Sequence, residues 1–205
     1  VPEDFLKATE GYTGAVARFD TGKPGPTTAF RSDIDCVLVR ETDNPEHLPN
    51  KLGFASERPG FMHACGHDGH TAVGLAVAHW LVMNKDRLCG RFILIFQPAE
   101  EGVRGARAMA ASGLVDHVDY FLGGHVGGDA KLGEIAVMDG GFLASTKFDV
   151  SIEGTPAHAG NSPELGHSAL MAACAASLMI QGIPRNSHGE TRVSVGKLEA
   201  GEGRN

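Results

Sequence analysis

The sequence predicts an α/β fold, in which a mainly parallel sheet flanked by helices is followed by a smaller α+β domain. Three observations carry this. Strand-like and helix-like segments alternate over the first two thirds of the chain, as in sheets built from β-α-β units. Residues able to ligate metals or move protons gather where the strand-like segments end, the edge at which open α/β sheets place their sites. The texture then changes near Gly141, where one-sided alternation and an Ala-rich stretch replace the apolar runs.

Composition narrows the functional classes. The chain has 205 residues, 42% of them hydrophobic, ample for a folded core. Its formal net charge is −7 with Lys and Arg scattered, which disfavours nucleic acid and anionic membranes as partners and favours a small-molecule substrate. No apolar run approaches the roughly 20 residues of a membrane span. The four cysteines, Cys36, Cys65, Cys89 and Cys174, are widely spaced and form no Cys-x-x-Cys pair, as expected of a reducing, cytoplasmic setting. The chain begins with Val1, and residues 1–12 contain no organised element, so the sequence reads as a fragment.

Taken in order, residues 15–20 and 27–34 are β-prone runs separated by Pro/Gly turn chemistry and are expected to be adjacent strands. Arg31, Asp33 and Asp35 share one face at the end of the second run, where ion pairing among strand-end charges is one reading and a functional role the other. Residues 41–61 are polar and rich in Pro, Asn and Gly, the composition of a long loop. Residues 71–84 are apolar almost all round and long enough for a buried helix. The continuous apolar run at 90–97 has the character of a central strand covered on both faces. A short helix is expected at 106–111 and another strand at 120–125. Beyond Gly141, strands are expected at 147–152 and 191–195, and a helix at 165–180.

The chemistry concentrates at 62–70, Met-His-Ala-Cys-Gly-His-Asp-Gly-His. A thiolate and an imidazole two residues apart on extended backbone, Cys65 and His67, project to one side and can close on a divalent ion. Glu100 and Glu101 follow the buried strand; on extended backbone they point apart, so that one can face a metal and the other the attacking water. His125 ends the next strand. Thiolate, imidazole and carboxylate together suit Zn²⁺ or Mn²⁺ better than Ca²⁺ or Mg²⁺, and Asp33 or Asp68 can orient a ligating imidazole through its second nitrogen. Two other readings stand beside this one: a thiol hydrolase in which His67 or His70 activates Cys65, and a non-catalytic binding subunit.

The ordered motifs Arg31-Ser-Asp33-Ile-Asp35, Met62-His-Ala-Cys65-Gly-His67-Asp68, Phe96-Gln-Pro-Ala-Glu100-Glu101, Gly124-His125 and Ala157-His158-Ala159 resemble those of the M20 metallopeptidase family. The amidohydrolase branch with a Cys-Gly-His motif fits best. The resemblance implies metal-dependent hydrolysis of the amide bond of an N-acyl amino acid, with two divalent ions, Mn²⁺ or Zn²⁺, per site. It makes residues 1–143 part of a catalytic metal-binding domain and 144–205 part of a lid that also forms a homodimer interface; a second, related subunit is the other arrangement. Cys65 is implied as the bridging ligand, with His67, Glu101 and His125 as further ligands and Glu100 as the general base. His158 resembles a lid histidine that stabilises the oxyanion in the partner's site, and Arg204 and Asn205 stand where substrate is recognised. The family supplies one more histidine ligand from a C-terminal segment that this sequence does not contain.

Overall fold

Four strands form one mixed sheet in the order β1-β3-β2-β4: β1 (Ala15–Asp20), β2 (Thr27–Asp33), β3 (Arg91–Gln97) and β4 (Tyr120–Gly123). The computed structural model describes residues 14–127, 130–137, 144–189 and 191–201. These fall into two compact units that divide after Val137.

The apolar run at 91–97 takes the central place expected of it, with Leu94 and Ile95 buried. β2 pairs parallel with β3 and with β4, whereas β1 runs antiparallel to β3, so the sheet is mixed. The first two strands are not neighbours as expected. β3 lies between them, because each finds a better partner in this apolar strand than in the other across the Pro/Gly turn.

Helix α1 (Leu48–Leu52) is a short turn within the long loop. Helix α2 (His67–Met83) packs on β2 and β3, so tightly at Gly74 that a Cβ there would lie 2.7 Å from Ser32 Oγ and 2.8 Å from Phe96 Cε1. α2 begins four residues earlier than its apolar pattern, so His67 and His70 lie in its first turn. It is buried on one side only: Val73, Leu75, Trp80, Val82 and Met83 are exposed. Helix α3 (Gly105–Ala111) covers the opposite face, where Ala29, Ile95 and Met109 form a core with Ile93, Leu114, Val115 and Val118 against it.

In the second unit, helix α4 (Ala169–Gln181) is capped by Ser168, whose Oγ accepts from Met171 N–H at 3.2 Å. A 3-10 turn at Pro163–Leu165 precedes it, so the expected helix over 165–180 starts later, after the extended Gly166. The strands expected at 147–152 and 191–195 do not form; their alternating apolar residues, Phe148, Val150, Val193 and Val195 among them, remain exposed. Among the described residues of this unit, one isolated bridge, Thr155 with His167, is the sole β pairing. No helix among the described residues is long and apolar enough to cross a membrane.

Candidate metal centre

Parallel pairing brings three strand ends to one edge. The register sets Arg31 of β2 opposite Ile95 of β3 and Gly123 of β4, and Asp33 opposite Gln97. Residues just beyond the three strands, Asp35, Glu100 with Glu101, and His125, therefore emerge together. The N-terminus of α2 meets them there with Cys65 and His67.

Cys65 and His67 do not lie on extended backbone. Gly66 between them adopts φ 87° as the N-cap of α2, a left-handed conformation that a side chain disfavours, and this turn swings both donors to one side. Glu100 and Glu101 also depart from expectation. They sit on a turn entered through Ala99 at φ 53°, and both half-buried carboxylates approach His67 Nε2. A left-handed non-glycine residue costs about 1–3 kcal/mol and is retained where surrounding structure enforces it. Here the Ala99 carbonyl accepts from the N–H groups of Arg104 and Gly105, both at 3.2 Å.

His67 is the centre of the cluster and is 1% exposed. Its Nδ1–H donates to the Asp35 carbonyl at 2.9 Å, which places the lone pair on Nε2. That buried nitrogen has no hydrogen-bond partner. Around it lie Glu100 Oε2 at 3.8 Å, Glu101 Oε1 at 4.0 Å and Asp33 Oδ2 at 3.8 Å. Cys65 Sγ and His125 Nε2 are 3.4 Å apart, and Cys65, His67 and His125 each offer a ligand atom within 4.8 Å of the others. Ligand atoms about 2.1 Å from a shared tetrahedral ion lie roughly 3.4 Å apart, so these spacings need only small contraction. An orphaned buried imidazole nitrogen among carboxylates and a thiol is a donor set that fits a divalent cation.

The electrostatics argue against Cys65 as a nucleophile. Burial, a hydrogen bond to Glu101 and the charges of Glu101, Glu100 and Asp33 push its thiol above the ordinary cysteine value. A reactive cysteine needs the opposite surroundings. Asp33 is 1% exposed; burial would raise its pKa, but the hydrogen bond from His70 and the charge of Arg31 hold the carboxyl below the usual range. Arg31 Nη1 lies 2.7 Å from Asp33 Oδ2, and its Nε donates to Gln97 Oε1 at 2.8 Å. The strand-end charges thus do pair, beside the cluster.

Of the sequence-derived site residues, Cys65, His67, Glu100, Glu101, His125 and Asp33 come together in the first unit. Asp68 is exposed on the first turn of α2 and contacts no imidazole of the cluster. His63 is exposed. His158 is exposed in the second unit, where its Nδ1 accepts from the N–H groups of Gly160 and Asn161 at 3.2 and 3.1 Å, leaving the proton on Nε2. Arg204 and Asn205 lie outside the described residues. Sequence reasoning left Asp35 between strand-end pairing and an unspecified functional role; in the structure its carbonyl holds His67 and its Oδ2 accepts the Glu101 N–H at 3.0 Å. The available signal was its place two residues beyond Asp33.

The chain is 55% identical over 203 residues to a Haemophilus influenzae homolog of one subunit of p-aminobenzoyl-glutamate hydrolase, covering 99% of this chain and 48% of that protein. It is 52% identical over 205 residues to the indole-3-acetyl-aspartic acid hydrolase of Enterobacter agglomerans, covering 100% of this chain and 47% of the relative. It thus spans about half the length of the curated relatives it matches. A Bacillus subtilis dinuclear metal binding peptidase from the M20 family superposes with a TM-score of 0.52 at 35% identity, covering 61% of this chain and 35% of that one. The model of Peptidase family M20/M25/M40 matches residues 29–195, and the chain belongs to that family.

Proposed function

We propose that the chain carries most of the active site of a dinuclear, metal-dependent amidohydrolase that cleaves N-acyl acidic amino acids, with p-aminobenzoyl-glutamate as the favoured substrate. The observation that carries this is the unpartnered, buried His67 Nε2 ringed by Cys65, His125, Glu100 and Glu101. The names of the two relatives support the substrate class, since each refers to an amide of glutamate or aspartate.

Cys65, His67, Glu101 and His125 would hold Zn²⁺ or Mn²⁺, which when bound polarises the scissile carbonyl and acidifies water. Glu100 is the member of the pair assigned to proton transfer. It takes a proton from the attacking water and delivers it to the leaving amine of glutamate, so p-aminobenzoate and glutamate are released without a covalent intermediate. Asp35 keeps His67 in the Nδ1–H form and pins the peptide of Glu101. The second unit is assigned the lid and dimer contact, with His158 presenting its Nε2–H to the oxyanion that develops in the partner's site. Arg204 and Asn205 are assigned to substrate recognition. One relative is named for a single component of its hydrolase, which supports a further partner in the form of a second, related polypeptide.

The test is p-aminobenzoate release from p-aminobenzoyl-glutamate, with indole-3-acetyl-aspartate run in parallel. Chelation should abolish release and Mn²⁺ or Zn²⁺ should restore it. Full turnover in excess chelator would refute the metal mechanism. Metal uptake with no turnover of either substrate would favour a non-catalytic binding role instead.

A further inference from the structure

We propose that His70 is a positioning residue that presents His125 to the metal centre by holding the peptide that follows it; this rests on the metal reading above. Pairing of β4 with β2 ends at Gly123, so His125 lies two residues beyond the ladder. One residue further on, the Val126 N–H donates to His70 Nε2 at 2.7 Å. The other ring nitrogen, Nδ1, is hydrogen-bonded to Asp33 Oδ1. An imidazole that accepts at Nε2 must carry its proton on Nδ1, where a carboxylate receives it. Both nitrogens of this 4% exposed ring are therefore committed within the protein, and His70 is not itself a ligand.

The consequence reaches His125 through a single residue, Val126. The Val126 carbonyl accepts from His125 Nδ1–H, while its N–H is fixed by His70. His70 thereby orients the 125–126 peptide and His125 Nδ1–H the 126–127 peptide, and together these bonds turn His125 Nε2 toward Cys65 Sγ. The rings of His70 and His125 meet edge to face, with centroids 4.5 Å apart. The Val126 side chain is seated by the same motif. A Cβ on Gly66 would come within 2.5 Å of Val126 Cγ2, and one on Gly69 would lie 3.8 Å from Cγ1. The Cys-Gly-His-Asp-Gly-His segment thus divides its work: Cys65 and His67 are donors, while Gly66, Gly69 and His70 dock the loop that carries a third.

The experiment uses the full chain with [¹⁵N]histidine, metal-free and loaded with ¹¹³Cd²⁺. His67 and His125 should show ¹¹³Cd–¹⁵N coupling at Nε2. His70 should show none, and should carry its proton on Nδ1 in both states. Cadmium coupling at His70, or a proton on its Nε2, would overturn the proposal. In a mutant cycle, His70→Leu should weaken Cd²⁺ binding about tenfold or more. In the His125→Ala background the same change should cost less than about twofold, because the residue it acts through is gone. His70→Gln, whose amide can accept from Val126 and donate to Asp33, should recover most of the affinity. Equal losses from His70→Leu in both backgrounds would mean a general structural role and refute the proposal, and the histidine spectra decide it if that variant does not fold. No ¹¹³Cd²⁺ uptake by the unaltered chain would remove the metal reading and this role together; normal uptake with His70 unlinked to His125 would remove this role alone.

Discussion

Asp35 ties together the two elements that bear the proposed ligands His67 and Glu101, which makes Asp35→Ala a direct test of the site's construction. The substitution keeps the backbone carbonyl that accepts from His67 Nδ1–H, so His67 stays in the tautomer that exposes Nε2. It removes the carboxylate oxygen that accepts the Glu101 N–H at 3.0 Å and the one lying 3.3 Å from His67 Nδ1. Leaving a partly buried N–H unpaired costs about 1–3 kcal/mol, and loss of an outer partner of a ligand typically weakens metal binding by about 10–100-fold. With the His67 tautomer retained, the lower end applies: about tenfold, or roughly 1.4 kcal/mol. Competition for Zn²⁺ with a chromophoric chelator measures this. Affinity within about twofold of the unaltered chain would refute the argument, because the Asp35 carboxylate would then do nothing for the site. A collapse by several orders of magnitude would refute it in the other direction, since Asp35 would then be a ligand itself.

Glu100→Gln should leave metal content unchanged and lower kcat by about 10²–10⁴-fold, read from p-aminobenzoate release and metal analysis of the same preparation. Bound Zn²⁺ should protect Cys65 from iodoacetamide, whereas rapid alkylation of the loaded protein would revive the thiol-hydrolase reading. Gly74→Ala should destabilise although it removes a glycine from a helix interior. The helix gain of about 0.5–1 kcal/mol is smaller than the roughly 1–3 kcal/mol of overpacking against Ser32 and Phe96, so the denaturant midpoint should fall. Glu41 accepts from the Ser56 N–H at 2.6 Å and pairs with His47 at 2.9 Å, and these contacts lower its pKa. A lowered carboxyl pKa stabilises above the ordinary glutamate value and is lost as pH falls through the folded value. The Ser56 amide resonance should titrate with a midpoint below ordinary glutamate, and Glu41→Gln should abolish that step.

Local patterns were legible where a single segment decides its own structure. The central strand is one such case, because seven successive residues that are mostly apolar suit a position covered on both faces and little else. Pairing was not legible. Nothing local tells β1 that its neighbour is β3, some 70 residues away, rather than β2 across a turn. The alternating segments near 150 and 193 show the converse: alternation marks a chain able to pair, and without a partner strand the apolar side stays exposed.

The site was legible as a set of donors and illegible as an arrangement. Cys, His and Glu announce ligands by their chemistry, and the sequence order already grouped them at the ends of strands. The contacts proposed to aim those donors run through backbone groups: the Asp35 carbonyl on His67 and the Val126 N–H on His70. Backbone atoms leave no compositional trace. The start of α2 shows the same limit, because His67 and His70 are polar residues buried by the site rather than by the apolar pattern. A periodicity argument therefore had to begin the helix at Thr71, one turn late. That missing turn is where the proposed donor His67 and the proposed loop-docking residue His70 share a single helix, spaced three residues apart so that the two rings stack at 5.3 Å. Separating them by one inserted residue would rotate His70 by about 100° around the helix and away from Val126. On the proposed roles, the spacing within Cys-Gly-His-Asp-Gly-His constrains His125 as much as the candidate ligands Cys65 and His67 that it contains.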